Sequence, residues 1–326
     1  MTKLHKLFFL ITVTIVTLFI LVPNNNSRNK HIPLIAIANY GPHISLQTTI
    51  NGLQQKLLNL GYIENKNIQY EILDVNFDTS LINQMIVKLK SSKPHIIVAI
   101  STPVAQSTKN LVKDIPIVFA DITDPLESGL NNTTQNSNIT GASDKQDLSL
   151  MFELAKKILP HAKKVGVLYS TGEANDSSLI KTLTETAKNF DIEVIAVPVE
   201  HARDVATRMN LFKDNVDFIY TGSSAVVQTA FSAITQKAEI MNIPIFDFNS
   251  QEVYNHNSLA SYGVSHFEVG SNAALIIDKL LKGTKAENIP IIYPNANDHT
   301  ALISKKRAKK LGIKLPSDLT NIIIVE

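Results

Sequence analysis

The chain has 326 residues, 44 % apolar and 18 % charged, which suits two packed domains and excludes a disordered polymer. Its formal charge is +2, but Lys3, Lys6, Arg28 and Lys30 stand in a first segment, 1–30, that has no acid, so the remainder is close to neutral and offers nucleic acid no electrostatic hold. Cysteine is absent, which excludes disulfides, thiolate metal sites, cysteine nucleophiles and a lipid anchor.

The N-terminus reads as an export address. Lys3, His5 and Lys6 precede Leu7–Val22, a run made only of Leu, Phe, Ile, Val and Thr, and Pro23 with Asn24, Asn25 and Asn26 ends it. A short basic region before an apolar stretch is the signal pattern. No small-x-small cleavage site follows, so residues 1–30 are expected to be either a signal peptide or an uncleaved anchor, and the body to be exported, periplasmic, and soluble or tethered.

From residue 33 short β-branched runs alternate with amphipathic ones. The first strands are expected at Pro33–Asn39, Ile68–Val75, Pro94–Ile100 and Pro116–Ile122. Between the first two, Ile50, Leu53, Leu57 and Leu60 share one helical face and Gly61 stops the helix. The polar segment Asn131–Asn138 reads as a surface loop before a crossover at Thr140–Asp144. A helix over Asp147–Leu159 ends at Pro160. A second strand series follows at Val165–Ser170, Ile192–Val199, Asp217–Thr221 and Pro244–Phe248, with helices at Ala225–Asn242 and His266–Lys282. The basic group Lys305, Lys306, Arg307, Lys309 and Lys310 reads as a solvated helix face. Strand–helix alternation in two sets predicts an α/β protein: two doubly wound parallel-sheet lobes with a ligand cleft between them.

In open parallel sheets ligands sit beyond the carboxyl ends of the strands. Those positions here are polar or aromatic. Tyr40 and His43 follow the first strand, Ser101 and Thr102 the third, and Asp121, Thr123 and Asp124 the fourth. Tyr169, Ser170, Glu173 and Asn175, then Ser223 and Ser224, then Asp247 and Phe248 occupy the same places in the second set. Ser101 and Thr102 open a helix, where hydroxyls cap free amides and the amides hold an anion; capping alone is the plainer alternative. Ser223 and Ser224 carry the same ambiguity. Tyr40 and Tyr169 are placed to stack on a flat ligand or merely to pack, and His43 to touch ligand or merely to start a helix. No GxGxxG, P-loop, GxSxG or HExxH occurs, so no catalytic residue, metal ligand or cofactor is expected.

Eight segments in register carry a resemblance: LLNLGYIENKNIQYE (57–71), PHIIVAISTPVAQ (94–106), IPIVFADITDPLESGL (115–130), NITGASD (138–144), LPHAKKVGVLYSTGEANDS (159–177), IPIFDF (243–248), LASYGVSHFEVG (259–270) and AKKLGIKLP (308–316). In these the chain resembles the ABC-transporter substrate-binding family that includes proposed aromatic amino-acid binders. The resemblance implies a type I periplasmic-binding fold crossed more than once by the chain, with residues 33–143 and about 262–290 in one lobe, and 144–261 and 291–326 in the other. It implies a small organic solute, an amino acid in the first instance, held by hinge closure, with ABC permease subunits as partners of a monomer. A membrane-anchored sensory module is the alternative, and a cleft enzyme the least favoured. Ser101, Thr102, Asp124, Tyr169 and Asn175 match the family's pattern and are implied as ligand contacts; Asp247 and Phe248 occupy a corresponding place. One departure stands out. Members commonly carry an Asp-Asn pair where this chain has Ser224 and Ala225. A ligand ammonium then needs Asp247 or Asp124 as its partner, or the ligand is not an ordinary α-amino acid.

Overall fold

Apolar runs that are buried on both faces can form only the interior of a parallel sheet covered by helices. Three such runs, β1 (Leu34–Asn39), β3 (Ile96–Ile100) and β4 (Ile117–Ile122), build the first lobe together with the buried but mixed β5 (Ile139–Ser143) and the half-exposed β2 (Gln69–Asp74) at its edge. The computed structural model describes residues 32–131, 136–295, 298–319 and 321–326; the expected signal segment 1–30 lies outside the described residues. All pairings in this sheet are parallel, in the order β2-β1-β3-β4-β5. Helices α1 (Ile44–Asn59), α2 (Ile82–Ser91) and α3 (Thr102–Leu111) connect its strands. Ile50, Leu53 and Leu57 of α1 are buried as the periodicity predicts, whereas Leu60 is 39 % exposed because it caps the helix and lies past its buried face.

The second lobe holds seven strands in the order β12-β11-β10-β9-β8-β6-β7. They are β6 (Lys164–Tyr169), β7 (Glu193–Pro198), β8 (Phe218–Thr221), β9 (Ile245–Asp247), β10 (Ala260–Val264), β11 (His299–Ser304) and β12 (Ile322–Val325). Among the described residues only β10 and β11 pair antiparallel. Its helices are α4 (Leu148–Ile158), α5 (Ala174–Lys188), α6 (Val205–Arg208), α7 (Ala225–Thr229), α8 (Phe231–Met241), α9 (Ser250–Tyr254) and, later in the chain, α11 (Lys305–Lys310). The single helix expected over Ala225–Asn242 is thus two, broken at Ala230, whose φ of −101° and ψ of 12° depart from helical values. Nor is the basic group of α11 wholly solvated: Arg307 is 4 % exposed and bonds Glu239 at 2.9 Å.

Between β10 and β11 the chain returns to the first lobe as α10 (His266–Leu281). This helix lies against α1 at glycine contacts. A Cβ on Gly270 would stand 2.0 Å from the Thr49 carbonyl oxygen, and one on Gly52 2.1 Å from that of Phe267. The close approach fixes where α10 begins, and Thr49 Oγ1 donates to the His266 carbonyl at 3.2 Å. Ile292 then bridges to Ala142 beside β5 before the chain crosses back. Three crossings therefore join the lobes. Among the described residues no helix is long and apolar enough to cross a membrane.

Candidate functional site

The carboxyl ends of the strands border two adjoining chambers. The first spans about 520 Å³ and the second about 460 Å³, open solvent at their mouths included, and Thr123, Asp144, Ser223 and Phe248 line both. The lobes touch here: Thr123 Oγ1 lies 3.1 Å from Ser223 Oγ. Within the second lobe Tyr220 donates to Gln146 Oε1 at 2.8 Å. At the rim Lys181 of α5 reaches Glu127 at 3.1 Å.

Ser101 and Thr102 line the first chamber at the head of α3. Ser101 is the N-cap but its hydroxyl accepts no bond from the helix and has no partner among the described residues. Its φ of 77° is left-handed, as is the 54° of Asp121 at the end of the neighbouring strand. Non-glycine residues adopt this region at a cost, and such strain clusters at ligand sites. The first-turn amides of α3, which lack intrahelical acceptors, point the same way.

Tyr40, His43, Asn175, Ser223 and Phe248 also line the first chamber. Tyr40 stacks edge-on with Phe77, 5.4 Å between ring centres, as one aromatic wall. His43 caps α1 by accepting from the Ser45 amide at 3.3 Å, and burial lowers it to about 4, so it is neutral at ordinary pH. Asp124 lines the second chamber, where Lys145 at 2.7 Å and the Leu126 and Glu127 amides engage its oxygens; these contacts outweigh burial and hold it below the usual carboxylate range.

Tyr169, Ser224 and Asp247 line neither chamber. Tyr169 ends β6 half-buried. Ser224 turns inward to cap α7 at Val227. Asp247 is fully buried in the second lobe, accepts from the Asn249 amide at 2.9 Å, and is pushed well above the carboxylate range by burial.

Asp121, Thr123 and Glu173, which the strand-end reading names without making them contacts, also line the first chamber, and Phe77, Asp144, Gln228 and His266 escape that reading. Glu173 accepts from the Ala225 and Val226 amides at 3.1 and 3.3 Å, at the place in the chain where the expected acid is missing. Burial raises it, and raises its neighbour Asp176 to about 7 with Glu173's charge adding. Among the described residues neither lysine nor arginine lines the first chamber.

Residues 34–322 match the family described as ABC transporter substrate binding protein. The chain belongs to that family. It is a family of solute-binding proteins, not of enzymes. The chain is 28 % identical to the tyrosine-binding protein of Clostridioides difficile strain R20291 over 298 residues, 90 % of this chain and 86 % of that one. The crystal structure of an ABC domain in complex with L-Trp from Streptococcus pneumonia is similar with a TM-score of 0.85 at 25 % identity, over 90 % of this chain and 99 % of that one. The ligand-free, open structure of a substrate-binding protein with adhesive properties from Clostridium difficile gives 0.70 at 26 % identity, with 90 % and 99 % covered. More distant solute-binding proteins share the type I periplasmic-binding fold alone.

Proposed function

We propose that this substrate-binding protein is the extracytoplasmic receptor of an ABC importer, and that it closes over an amino acid with an aromatic side chain and, as a monomer, hands it to permease subunits. The observation that carries the reading is the first chamber itself. Both lobes wall it, a helix N-terminus suited to a carboxylate opens into it, the carboxyl groups of Asp121, Asp144 and Glu173 line it, and Tyr40, Phe77 and Phe248 supply apolar faces. The relatives named for tyrosine and tryptophan support the ligand class. Closure has support of its own. At nearly equal identity and coverage, the arrangement is more like the L-Trp complex than the ligand-free open structure, and ligand that touches both lobes favours the closed population.

Thermal unfolding against a panel of amino acids, nucleosides and sugars tests this. A solute at 100 times its Kd adds about 2.7 kcal/mol of stability. Stabilisation by L-tyrosine or L-tryptophan is the expected result, and stabilisation by sugars or nucleosides alone would overturn it.

A further inference from the structure

One cluster in the first chamber has polar atoms that nothing else in the protein engages. Asp121 stands near the end of β4, Asp144 follows β5 where the chain leaves the first lobe, and His266 opens α10 where it returns. They are 6 %, 5 % and 8 % exposed, and all three line the chamber. Each presents a donor or acceptor atom within 4.8 Å of the others. His266 Nδ1 lies 2.9 Å from Asp121 Oδ1. The remaining atoms, Asp121 Oδ2, Asp144 Oδ1 and His266 Nε2, are buried and have no hydrogen-bond partner among the described residues. A buried polar atom without a partner costs about 1–3 kcal/mol. Three of them, on residues that all line one cavity, mark a place that a ligand completes.

The other acids near the cleft are already engaged. Glu173 holds two backbone amides, Asp124 holds Lys145 and two amides, and Asp247 does not reach the chamber. We propose that Asp121, Asp144 and His266 together receive a primary ammonium group of the solute, an inference that rests on the reading of this chain as an amino-acid receptor. A primary ammonium has three N–H donors. Neutral His266, with its Nδ1–H given to Asp121, leaves a lone pair on Nε2, so the three partnerless atoms are three acceptors. Acceptors about 2.8 Å from one nitrogen stand roughly 4.6 Å apart, a spacing close to the 4.8 Å within which one ligating atom of each of the three residues falls. Phe248 from the second lobe meets His266 edge-on at 5.7 Å and covers the cluster on its apolar side.

The cluster also has protons to give up. Burial and the Asp121 charge push Asp144 up to about 7. Burial opposes a charge on His266, yet Asp121 holds it above its usual value. The other titratable groups nearby are Tyr220 of β8, Lys145 tied to Asp124, and His43 and Glu173 on the walls of the same chamber. The arriving ammonium takes the place of bound protons, so affinity rises with pH through about 7 until the solute's own amine begins to deprotonate.

Calorimetric titration of the purified chain with L-tyrosine, L-tryptophan, tyramine, tryptamine and the N-acetyl amino acids, in buffers of different ionisation enthalpy, tests this. The free amino acids are expected to bind with proton release near pH 6.5, and the N-acetyl forms on the order of 100-fold more weakly. Asp144→Asn should lose about 100-fold in affinity together with the proton release, while unfolding without solute at the wild-type temperature or above. Amines that bind like the amino acids assign recognition to the ammonium alone; amines that bind more weakly add a carboxylate contact, and either supports the proposal. Undiminished amino-acid binding by both Asp144→Asn and Asp121→Asn would overturn the ammonium site and leave the amino-acid receptor standing. Binding of sugars or nucleosides alone would overturn both. Stabilisation by zinc or magnesium chloride that Asp144→Asn abolishes, without any response to amines, would give the cluster to a metal ion and also overturn the proposal.

Discussion

The acids of the first chamber come from both lobes, and the two groups differ in what their oxygens already hold. In the second lobe Glu173 accepts from two amides of α7, and its neighbour Asp176, which does not line the chamber, accepts from the Ser170 amide at 2.6 Å. In the first lobe Asp121 and Asp144 each keep an oxygen without a partner. Both groups are buried carboxyls, and burial alone does not tell them apart. The hydrogen-bond inventory does: an acid that caps backbone amides holds loops in place, whereas an acid with a free oxygen toward a cavity is available to a ligand. Substitutions that move one group and not the other put this difference to the test.

The largest effect is expected where the first-lobe group is positioned. Gly270→Ala drives a Cβ into the Thr49 carbonyl and forces α10 off α1. Overpacking of this severity costs about 3 kcal/mol or more, and it displaces His266 from Asp121. Urea unfolding should show the loss, and solute affinity should fall with it. Unchanged stability would mean that the helix contact is looser than its geometry.

The pH dependence of stability separates the groups next. Asp144 and Asp176 both have folded values of about 7, above the ordinary value of an unfolded aspartate. Such acids contribute stability that is fully present below about pH 4 and is lost as pH rises through about 7, a change of roughly 2–4 kcal/mol per group at most. Urea midpoints should therefore decline across that window. Asp144→Asn and Asp176→Asn should each flatten the decline. Saturating solute should restore only the part belonging to Asp144, because only that acid is proposed to meet the ligand. Equal recovery in the two variants would erase the distinction.

Glu173 gives a smaller effect. Glu173→Ala leaves the Ala225 and Val226 amides without acceptors, at about 2 kcal/mol, while Glu173→Gln keeps an acceptor oxygen and should cost less than half of that. Solute affinity should fall less for Glu173→Gln than for Asp144→Asn. The reverse order would move the ammonium contact to the second lobe.

Most of this architecture is legible in the chain because parallel strands are continuous apolar runs. IIVAI at β3 and IVFADI at β4 are buried throughout. The strands that escape such a reading, β5, β10, β11 and β12, are short or carry Ser, Thr, Gly and His, and their pairing is decided by distant partners; Ile303 of β11 pairs antiparallel with Ala260. The site divides in the same way. Ser101 and Thr102 follow a clear strand and are found where the strand-end rule puts them. Asp121 and Glu173 stand at strand ends too, yet nothing local distinguishes an acid with a free oxygen from one that caps a helix. His266 meets Asp121 across 145 positions of chain, at a place set by Gly52 and Gly270. Two glycines on facing helices are the one trace of that meeting in the sequence, and they acquire meaning only once the helices are paired.

The smallest effects belong to the contacts between lobes, and they set the scale for the rest. Lys181 and Glu127 face each other across the rim, with side chains 59 % and 53 % exposed. Solvent screens such exposed pairs, so Lys181→Ala should change solute affinity about twofold at most and lose even that in high salt. Thr123 and Ser223 meet deeper in the cleft, where both chambers join. Thr123→Val keeps the shape and removes one hydroxyl, leaving Ser223 without that partner, and should weaken solute binding by about fivefold through faster release. If closure sets affinity, the Thr123 variant loses more than the Lys181 variant at every salt concentration. If the two losses are equal and both vanish in salt, the lobes are held together by the rim, and the acids of the first chamber act on a cleft whose closure they do not control.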